Sequence, residues 1–517
     1  MSEFLTGLSS VHLADFHLLT IVLLAPIVAA LFMVFIPREE GKLIKCVAAI
    51  GTFVSLAITL FLYFSYDKAL GGYQFAECYD WIKDLGVTYF LAVDGISLPM
   101  LLLTSVIGFC AVFASWNVKE RVKEFFILFN FLLAGVIGTF IAHDLFIFLL
   151  FYEVVVIPIY IMVVIWGSTK RVTKEYAGMK LTIYLLIGSA FLLVGVLALF
   201  MKAKGYWGFP TMNFVQLAEA GQNLDAFTQK WLFALMLVGF GSLISMWPFH
   251  SWSPDGYAGA PTAVSMIHAG VLKKIGGYGL IKIALVCLPL GAKFWAPYIA
   301  ILGIIGVVYA AFGALAVKDL KYVIGYSSVS HMGYVMLSIA CLNVLGVDGA
   351  IANMFGHGVM ASLFFSTIGF IYEKTHTRWI PDLGGLARQT PRLAVAFMLA
   401  AMASLGLPGL VTFMPEFVIF VNSFSIYGGL AVAGIAGIIL GALYVLRAGA
   451  NTLFGPPRPE FDDLQDIKGP ELVPLAVLGI VMLAGGFFPS LLFDMINSAA
   501  EPLIEGINIY LQGGGAL

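Results

Sequence analysis

The sequence predicts an all-α polytopic membrane protein with about fourteen transmembrane helices, on three observations. Of its 517 residues 61% are hydrophobic and only 11% are charged, whereas a soluble globular chain carries about a quarter charged residues. Mean hydropathy is +0.97. Apolar runs long enough for a bilayer core, roughly 20 residues for about 30 Å, recur along the whole chain. A soluble enzyme is excluded. The near balance of 28 basic and 30 acidic side chains gives a nucleic-acid partner no electrostatic footprint.

Cutting the chain at charged and Pro/Gly-rich breaks places spans at 19–36, 45–65, 90–115, 124–142, 144–167, 179–201, 231–247, 258–289, 295–317, 322–343, 349–372, 392–423, 426–449 and 471–493. Segments 124–142 and 144–167 are parted only by His143 and Asp144, and 392–423 is interrupted by Pro408, Gly409 and Pro415. No basic n-region or small-residue cleavage site precedes the first span, so it is expected to be retained. The longest polar stretch, 455–470, is expected to be a loop, and no soluble domain is predicted.

Sidedness follows from the basic residues, which concentrate in cytoplasmic loops. Loops after odd-numbered spans hold 19 of the 28, from Arg38 and Lys42 through Lys170, Lys318 and Lys321 to Lys468; loops after even-numbered spans hold 6. The imbalance supports fourteen spans with both termini non-cytoplasmic. Three lysines remain inside a span: Lys273, Lys274 and Lys282.

Two apolar segments carry helix breakers, Gly239 to Pro254 (GFGSLISMWPFHSWSP) and Leu405 to Glu416 (LGLPGLVTFMPE). Broken helices in corresponding places of two halves mark repeated bundles around an ion path. Two ordinary proline kinks are the other reading.

An ionisable group at the bilayer centre costs several kcal/mol, so each is a functional candidate. Glu153 lies mid-span in FLLFYEVVVIPIY, Lys273 and Lys274 in HAGVLKKIGGYGL, and Glu416 after the second break; His268, His331 and His357 fall within or at the edges of other spans. Singly, each could be a helix-locking pair or a packing residue, and Lys282 could snorkel to the interface. Together, carboxylates, amines and imidazoles on successive helices are what a proton relay needs. Adjacent lysines point about 100° apart on a helix, so one of the two is expected to face the relay. Cys46, Cys78, Cys110, Cys287 and Cys341 are scattered, with no CxxC and no Cys/His cluster, so no metal or redox cofactor is expected in the chain.

These segments resemble the antiporter-like M subunit (chain 4) of respiratory complex I, the NADH-quinone oxidoreductase. The resemblance covers roughly residues 85–425 and rests on seven ordered motifs: VDGISLP at Val93–Pro99, FLLFYEVVVIPIY around Glu153, PFHSWSPDGYAGAPTAVS at Pro248–Ser265, AGVLKKIGGYGL at Ala269–Leu280, DLKYVIGYSSVSHMGY at Asp319–Tyr334, GHGVMASLFF at Gly356–Phe365 and SLGLPGLVTFMPEF at Ser404–Phe417. It implies fourteen helices: an N-terminal group of three (1–115), inverted five-helix repeats at 120–290 and 294–450 with the seventh and twelfth helices broken, and a last helix at 470–494. It also implies a proton path through Glu153, Lys274, His331, His357 and Glu416. A glutamate at the last position, and a chain that ends soon after the last span, resemble the M rather than the L type. The implied partners are L-, N- and K-type membrane subunits, lipid, and a hydrophilic redox arm carrying FMN, iron-sulfur clusters and a quinone site, in a bacterial or archaeal plasma membrane. NADH, ferredoxin, F420 or hydrogen could be the donor, and Na+ could replace H+. A multisubunit cation/proton antiporter, a membrane-bound hydrogenase-type complex and a structural spacer are the alternatives.

One position departs from the family. The lysine five residues before the PFHSW proline is Leu243 here, and no ionisable group occurs between Lys230 and His250. Either Lys273 or His250 takes over as the partner of Glu153, or the first half-channel is silent.

Overall fold

The computed structural model describes residues 11–13, 16–168 and 171–513; Lys170 and both chain ends, on which the terminus orientation bears, lie outside them. After β1 (Val11–Leu13) come α1 (Leu18–Phe35), α2 (Gly41–Ser65), β2 (Tyr73–Ile82), β3 (Val87–Val93), α3 (Ser97–Ala114), α4 (Val122–Ile141), α5 (Leu145–Trp166) and α6 (Lys174–Trp207). A short α7 (Phe214–Gln222) leads to α8 (Ala226–Ile244). Next is a segmented stretch of α9 (Trp252–Gly259), α10 (Thr262–Ile267) and α11 (Lys274–Gly279), with π-helical turns at His268–Leu272 and Leu280–Leu285. The second half holds α12 (Pro289–Ala316), α13 (Leu320–Ile339), α14 (Val344–Thr375), α15 (Pro391–Ser404), α16 (Phe413–Tyr427), α17 (Gly429–Leu453), α18 (Leu472–Phe487) and α19 (Ser490–Gly513). Among the described residues, 11 helices are long and apolar enough to cross a membrane.

Short polar side chains set the helix starts. Asp144 accepts from the N–H groups of Phe146 and Ile147 at 3.0 and 3.3 Å, so a break of a few residues suffices to separate α4 from α5. Asp319 caps α13 through Lys321 N–H at 2.9 Å, and Asn343 caps α14 through Gly346 N–H at 2.8 Å.

The fold is built around α14. Its most apolar stretch is 100% buried, against 39% for α1 and 33% for α17. Outer helices turn Phe35, Ile157 and Ile439 outward, a surface suited to lipid rather than water. At the core the helices approach closely: a Cβ on Gly333 of α13 would lie 2.5 Å from the Gly303 carbonyl oxygen of α12, so this pair packs backbone to backbone.

Two stretches differ from the expected spans. Residues 90–93 belong to β3, and the third helix begins at Ser97. VTYFLAV is an apolar run of β-branched and aromatic residues that suits a strand as well as a helix; it pairs antiparallel with β2, which β1 joins in parallel. The span expected at 471–493 ends at Phe487, ahead of Pro489, and the chain continues in α19. A proline disfavours helix in the residue before it. Near its far end α19 places the Tyr510 hydroxyl 3.0 Å from Gln229 Nε2 at the start of α8.

Candidate functional site

The helix interruptions fall where the ionisable side chains gather. α8 ends at Ile244 with Ser245 at φ 64°, and the chain turns before α9 starts at Trp252. Between α15 and α16, Gly406 has φ 64°, and a Cβ there would lie 2.6 Å from Glu416 Oε2. The turn needs glycine both for its left-handed backbone and for room beside the carboxylate.

Four of the side chains singled out in the sequence form one line across α11, α14, α13 and α16. Lys274 Nζ donates to the Ala269 carbonyl and lies 2.8 Å from His357 Nδ1. The His357 and His331 rings are 5.3 Å apart, centre to centre. His331 Nδ1 is then 3.2 Å from Glu416 Oε1, and its Nε2 is 3.3 Å from Ser404 Oγ. None of the four is more than 4% exposed.

The π-helical turn separates the two lysines. Lys273 N–H donates to His268 O, five residues back, at 3.2 Å, a widened turn of the kind found at functional sites. Lys273 Nζ donates to Ser328 Oγ at 3.2 Å and sits 5.2 Å from the Tyr257 ring centre, whereas Lys274 faces His357.

Glu153 and His250 stand apart from this line. The His250 ring meets Tyr309 edge-on at 4.9 Å, and its Nδ1 is buried without a hydrogen-bond partner. Glu153 is half-buried on the outer side of α5, one turn from Ile157, which is 66% exposed. Among the described residues it makes no hydrogen bond or ion pair, so neither Lys273 nor His250 is its partner. Leu243 is buried within α8.

Two lysines are placed otherwise than their sequence setting suggested. Lys282 does not snorkel: it is buried, ion-pairs with Asp94 and lies 5.0 Å from the Tyr73 ring centre. Tyr73 opens β2 and Asp94 directly follows β3, and Asp94 is held by the Ile96 and Ser97 N–H groups at 3.1 and 2.8 Å. Lys321, counted as a loop cation, is 4% exposed and donates to the Ala260 carbonyl at 2.6 Å. Its signal in the sequence is Asp319: a capping aspartate two residues ahead places a lysine in the first turn of a helix, not in a loop. Cys110, Cys287 and Cys341 are buried free thiols, and the described residues contain no group of three or more His, Cys, Asp or Glu side chains that could hold a metal ion.

A family model described as NADH:quinone oxidoreductase/Mrp antiporter, transmembrane, matches residues 142–441, which include Lys274, His331, His357 and Glu416. The chain belongs to this family. The NADH:quinone oxidoreductase/Mrp antiporter assignment agrees with the resemblance carried by the seven motifs, and it makes the chain an integral membrane protein. The chain is 36% identical over 499 residues to NADH-quinone oxidoreductase subunit M of Rhodobacter capsulatus, covering 95% of this chain and 96% of that one. It is 35% identical over 490 residues to F420H2 dehydrogenase subunit M of Methanosarcina mazei, covering 94% and 98%. Among solved structures, a chain of respiratory complex I from Thermus thermophilus shares the fold at a TM-score of 0.84 and 24% identity, over 94% of this chain and 99% of that one. A chain of the Mrp complex from Dietzia sp. does so at 0.81 and 21%, over 96% and 99%. The NADH:quinone oxidoreductase/Mrp antiporter fold thus carries both the Lys274 to Glu416 line and, outside the matched stretch, Asp94.

Proposed function

We propose that this chain is the proton-translocating membrane-arm subunit of a complex I-like quinone oxidoreductase, and that protons move along Lys274, His357, His331 and Glu416. The single observation that carries the path is its continuity: an amine, two imidazoles and a carboxylate meet at 2.8, 5.3 and 3.2 Å across four helices, buried from solvent. Lysine and histidine both exchange protons, and a closely spaced series of them needs only small side-chain movements or a bridging water to hand one on. Redox chemistry belongs to partner subunits, a hydrophilic arm with FMN, iron-sulfur clusters and a quinone site, with L-, N- and K-type subunits as membrane neighbours. The chain's part is to convert their signal into proton movement.

In this reading the chain crosses the membrane fourteen times: the eleven long apolar helices, α13, the α9–α11 stretch and the broken pair α15 and α16. Inverted repeats at 120–290 and 294–450 and non-cytoplasmic termini follow from the motif pattern and the placement of the basic loops. Glu153, outward-facing and unpaired, suits a group that answers a neighbouring subunit. The test is Lys274→Ala in the assembled complex, reconstituted in vesicles: protons moved per electron should fall while electron transfer continues. A native ratio would remove Lys274 from the path. The likeness to the Mrp complex favours a second reading, cation/proton antiport, which predicts pumping that depends on Na+ concentration.

A further inference from the structure

We infer that Lys321 is a proton carrier that feeds Lys273 through Ser265 and His268, by a route that does not use Glu153. It rests on the proposed Lys274 to Glu416 path and extends it toward the face of the protein that bears most of the basic loops.

Lys321 is an unusual structural residue. Its Nζ lies 2.6 Å from the Ala260 carbonyl and 3.4 Å from Ser265 Oγ, and the carboxylate nearest in sequence, Asp319, is engaged by Arg378 Nε at 2.7 Å. Burying an ammonium without its own carboxylate costs several kcal/mol. A neutral donor would hold the Ala260 carbonyl at the junction of α9 and α10 equally well. The cost is understandable if the group must also exist as a neutral amine, as a proton carrier must.

A source lies on one side of it. A surface cavity of about 770 Å³ is lined by Arg171, Lys318, Asp319, Tyr322, Trp379 and Asp382, so its wall includes Tyr322, next to Lys321 in the chain, and Asp319, two residues before it. On the other side is an acceptor. Ser265 lies in α10 and His268, three residues on, opens the π-helical turn, so the two share a helix face. His268 is fully buried, and both its ring nitrogens lack a hydrogen-bond partner. Such an imidazole can accept at one nitrogen and release at the other. Its ring is 5.1 Å from that of Tyr257, and Lys273 Nζ is 5.2 Å from the same Tyr257 ring. The widened turn then brings Lys273 N–H onto His268 O.

The proton balance is simple. The Lys321 ammonium gives its proton by way of the Ser265 hydroxyl to neutral His268, leaving an amine. The imidazolium releases a proton from its other nitrogen to the neutral amine of Lys273. The Lys321 amine is recharged from water in the cavity. Each cycle takes up one proton from the cavity and leaves it on Lys273, with Lys321 and His268 returned to their starting states, and the path enters beyond the vacancy at Leu243.

Lys321→Arg and Lys321→Gln test this, because both keep an N–H donor for the Ala260 carbonyl while neither exchanges a proton at neutral pH. Protons moved per electron are read on the assembled, vesicle-reconstituted complex, from its native donor to quinone, alongside Lys274→Ala. Both Lys321 variants should lower the ratio to the Lys274→Ala level. A native ratio in either Lys321 variant, with Lys274→Ala impaired, overturns the route but leaves the path standing. A native ratio in Lys274→Ala overturns the path itself.

Discussion

Lys274 and His357 meet nitrogen to nitrogen at 2.8 Å, with no carboxylate within ion-pair distance of either among the described residues. Two positive charges at that separation repel by on the order of 6 kcal/mol at an effective dielectric of about 20, more than a hydrogen bond returns. The pair therefore holds at most one extra proton, and on the proposed path a second, handed on from Lys273, would displace the first toward His331. His357→Leu is expected to reduce protons moved per electron as far as Lys274→Ala does. Since the two side chains act as one unit, the double variant should go no lower than either single. Dye-quenching in vesicles with electron transfer followed in parallel checks this; additive losses would mean two separate routes.

The room beside Glu416 comes from Gly406. An added methyl would meet Glu416 Oε2 at 2.6 Å, on a backbone at φ 64°. A left-handed non-glycine residue costs roughly 1–2 kcal/mol, and the carboxylate would also be displaced from His331. Gly406→Ala should lower the detergent melting temperature of the complex slightly and its pumping ratio strongly. Loss of stability alone, with pumping intact, would show that the 3.2 Å contact between His331 and Glu416 is dispensable.

Hydropathy revealed the long apolar helices and the two breaks, though not α7 or α19, because long apolar runs and proline are local signals. The motif pattern likewise located Lys274, His331, His357 and Glu416. What escaped was relational. Lys282 looked terminal and free to snorkel because nothing nearby in sequence announces that Asp94 and Tyr73, 188 and 209 residues earlier, will meet it. Lys321 looked like a loop cation because its burial depends on Ala260, 61 residues away. Residues 90–93 looked helical because burial on a strand and burial in a helix leave the same apolar run. The orphaned nitrogens of His268 become visible only when its neighbours Trp252 and Tyr257 are in place.

The Asp94 to Lys282 ion pair is a stability element whose energy lies in mutual dependence. Asp94→Ala leaves a buried ammonium, and Lys282→Met a buried carboxylate; breaking a buried pair from one side costs about 3–5 kcal/mol. The double variant leaves no unpaired charge and should cost less than either single. Thermal unfolding of the four forms in mild detergent measures the coupling, and equal losses in single and double variants would refute it.

His143, in the turn between α4 and α5, gives the protein an acid limit. Burial, with the nearby Lys282 charge adding to it, pushes the imidazole down to about 4, against partial relief from Asp94. An unfolded histidine takes up its proton near pH 6.5, so the unfolded chain binds protons first. The contribution of the neutral ring is present above about 6.5 and is lost as pH falls toward 4, by on the order of 3 kcal/mol. His143→Phe should flatten the melting temperature between pH 7 and pH 4.5. An unchanged slope would place the acid sensitivity elsewhere.

Glu153 separates signalling from structure. It is half-buried on the outer side of α5 and has no hydrogen bond or ion pair among the described residues, so Glu153→Gln should alter the stability of the chain by no more than about 0.5 kcal/mol, as at an ordinary surface position. If it answers a neighbouring membrane subunit, the same change should lower protons moved per electron in the complex. Lys273→Leu should lower that ratio too, yet for a different cause, since Lys273 contacts Ser328 and Tyr257 rather than Glu153. The two defects can be told apart by combining them. A carrier lost at Lys273 blocks the path whatever signal arrives, so the double variant should match Lys273→Leu alone. Native pumping in Glu153→Gln would mean that the first half-channel, already without a lysine at Leu243, is silent, and that entry at Lys321 suffices.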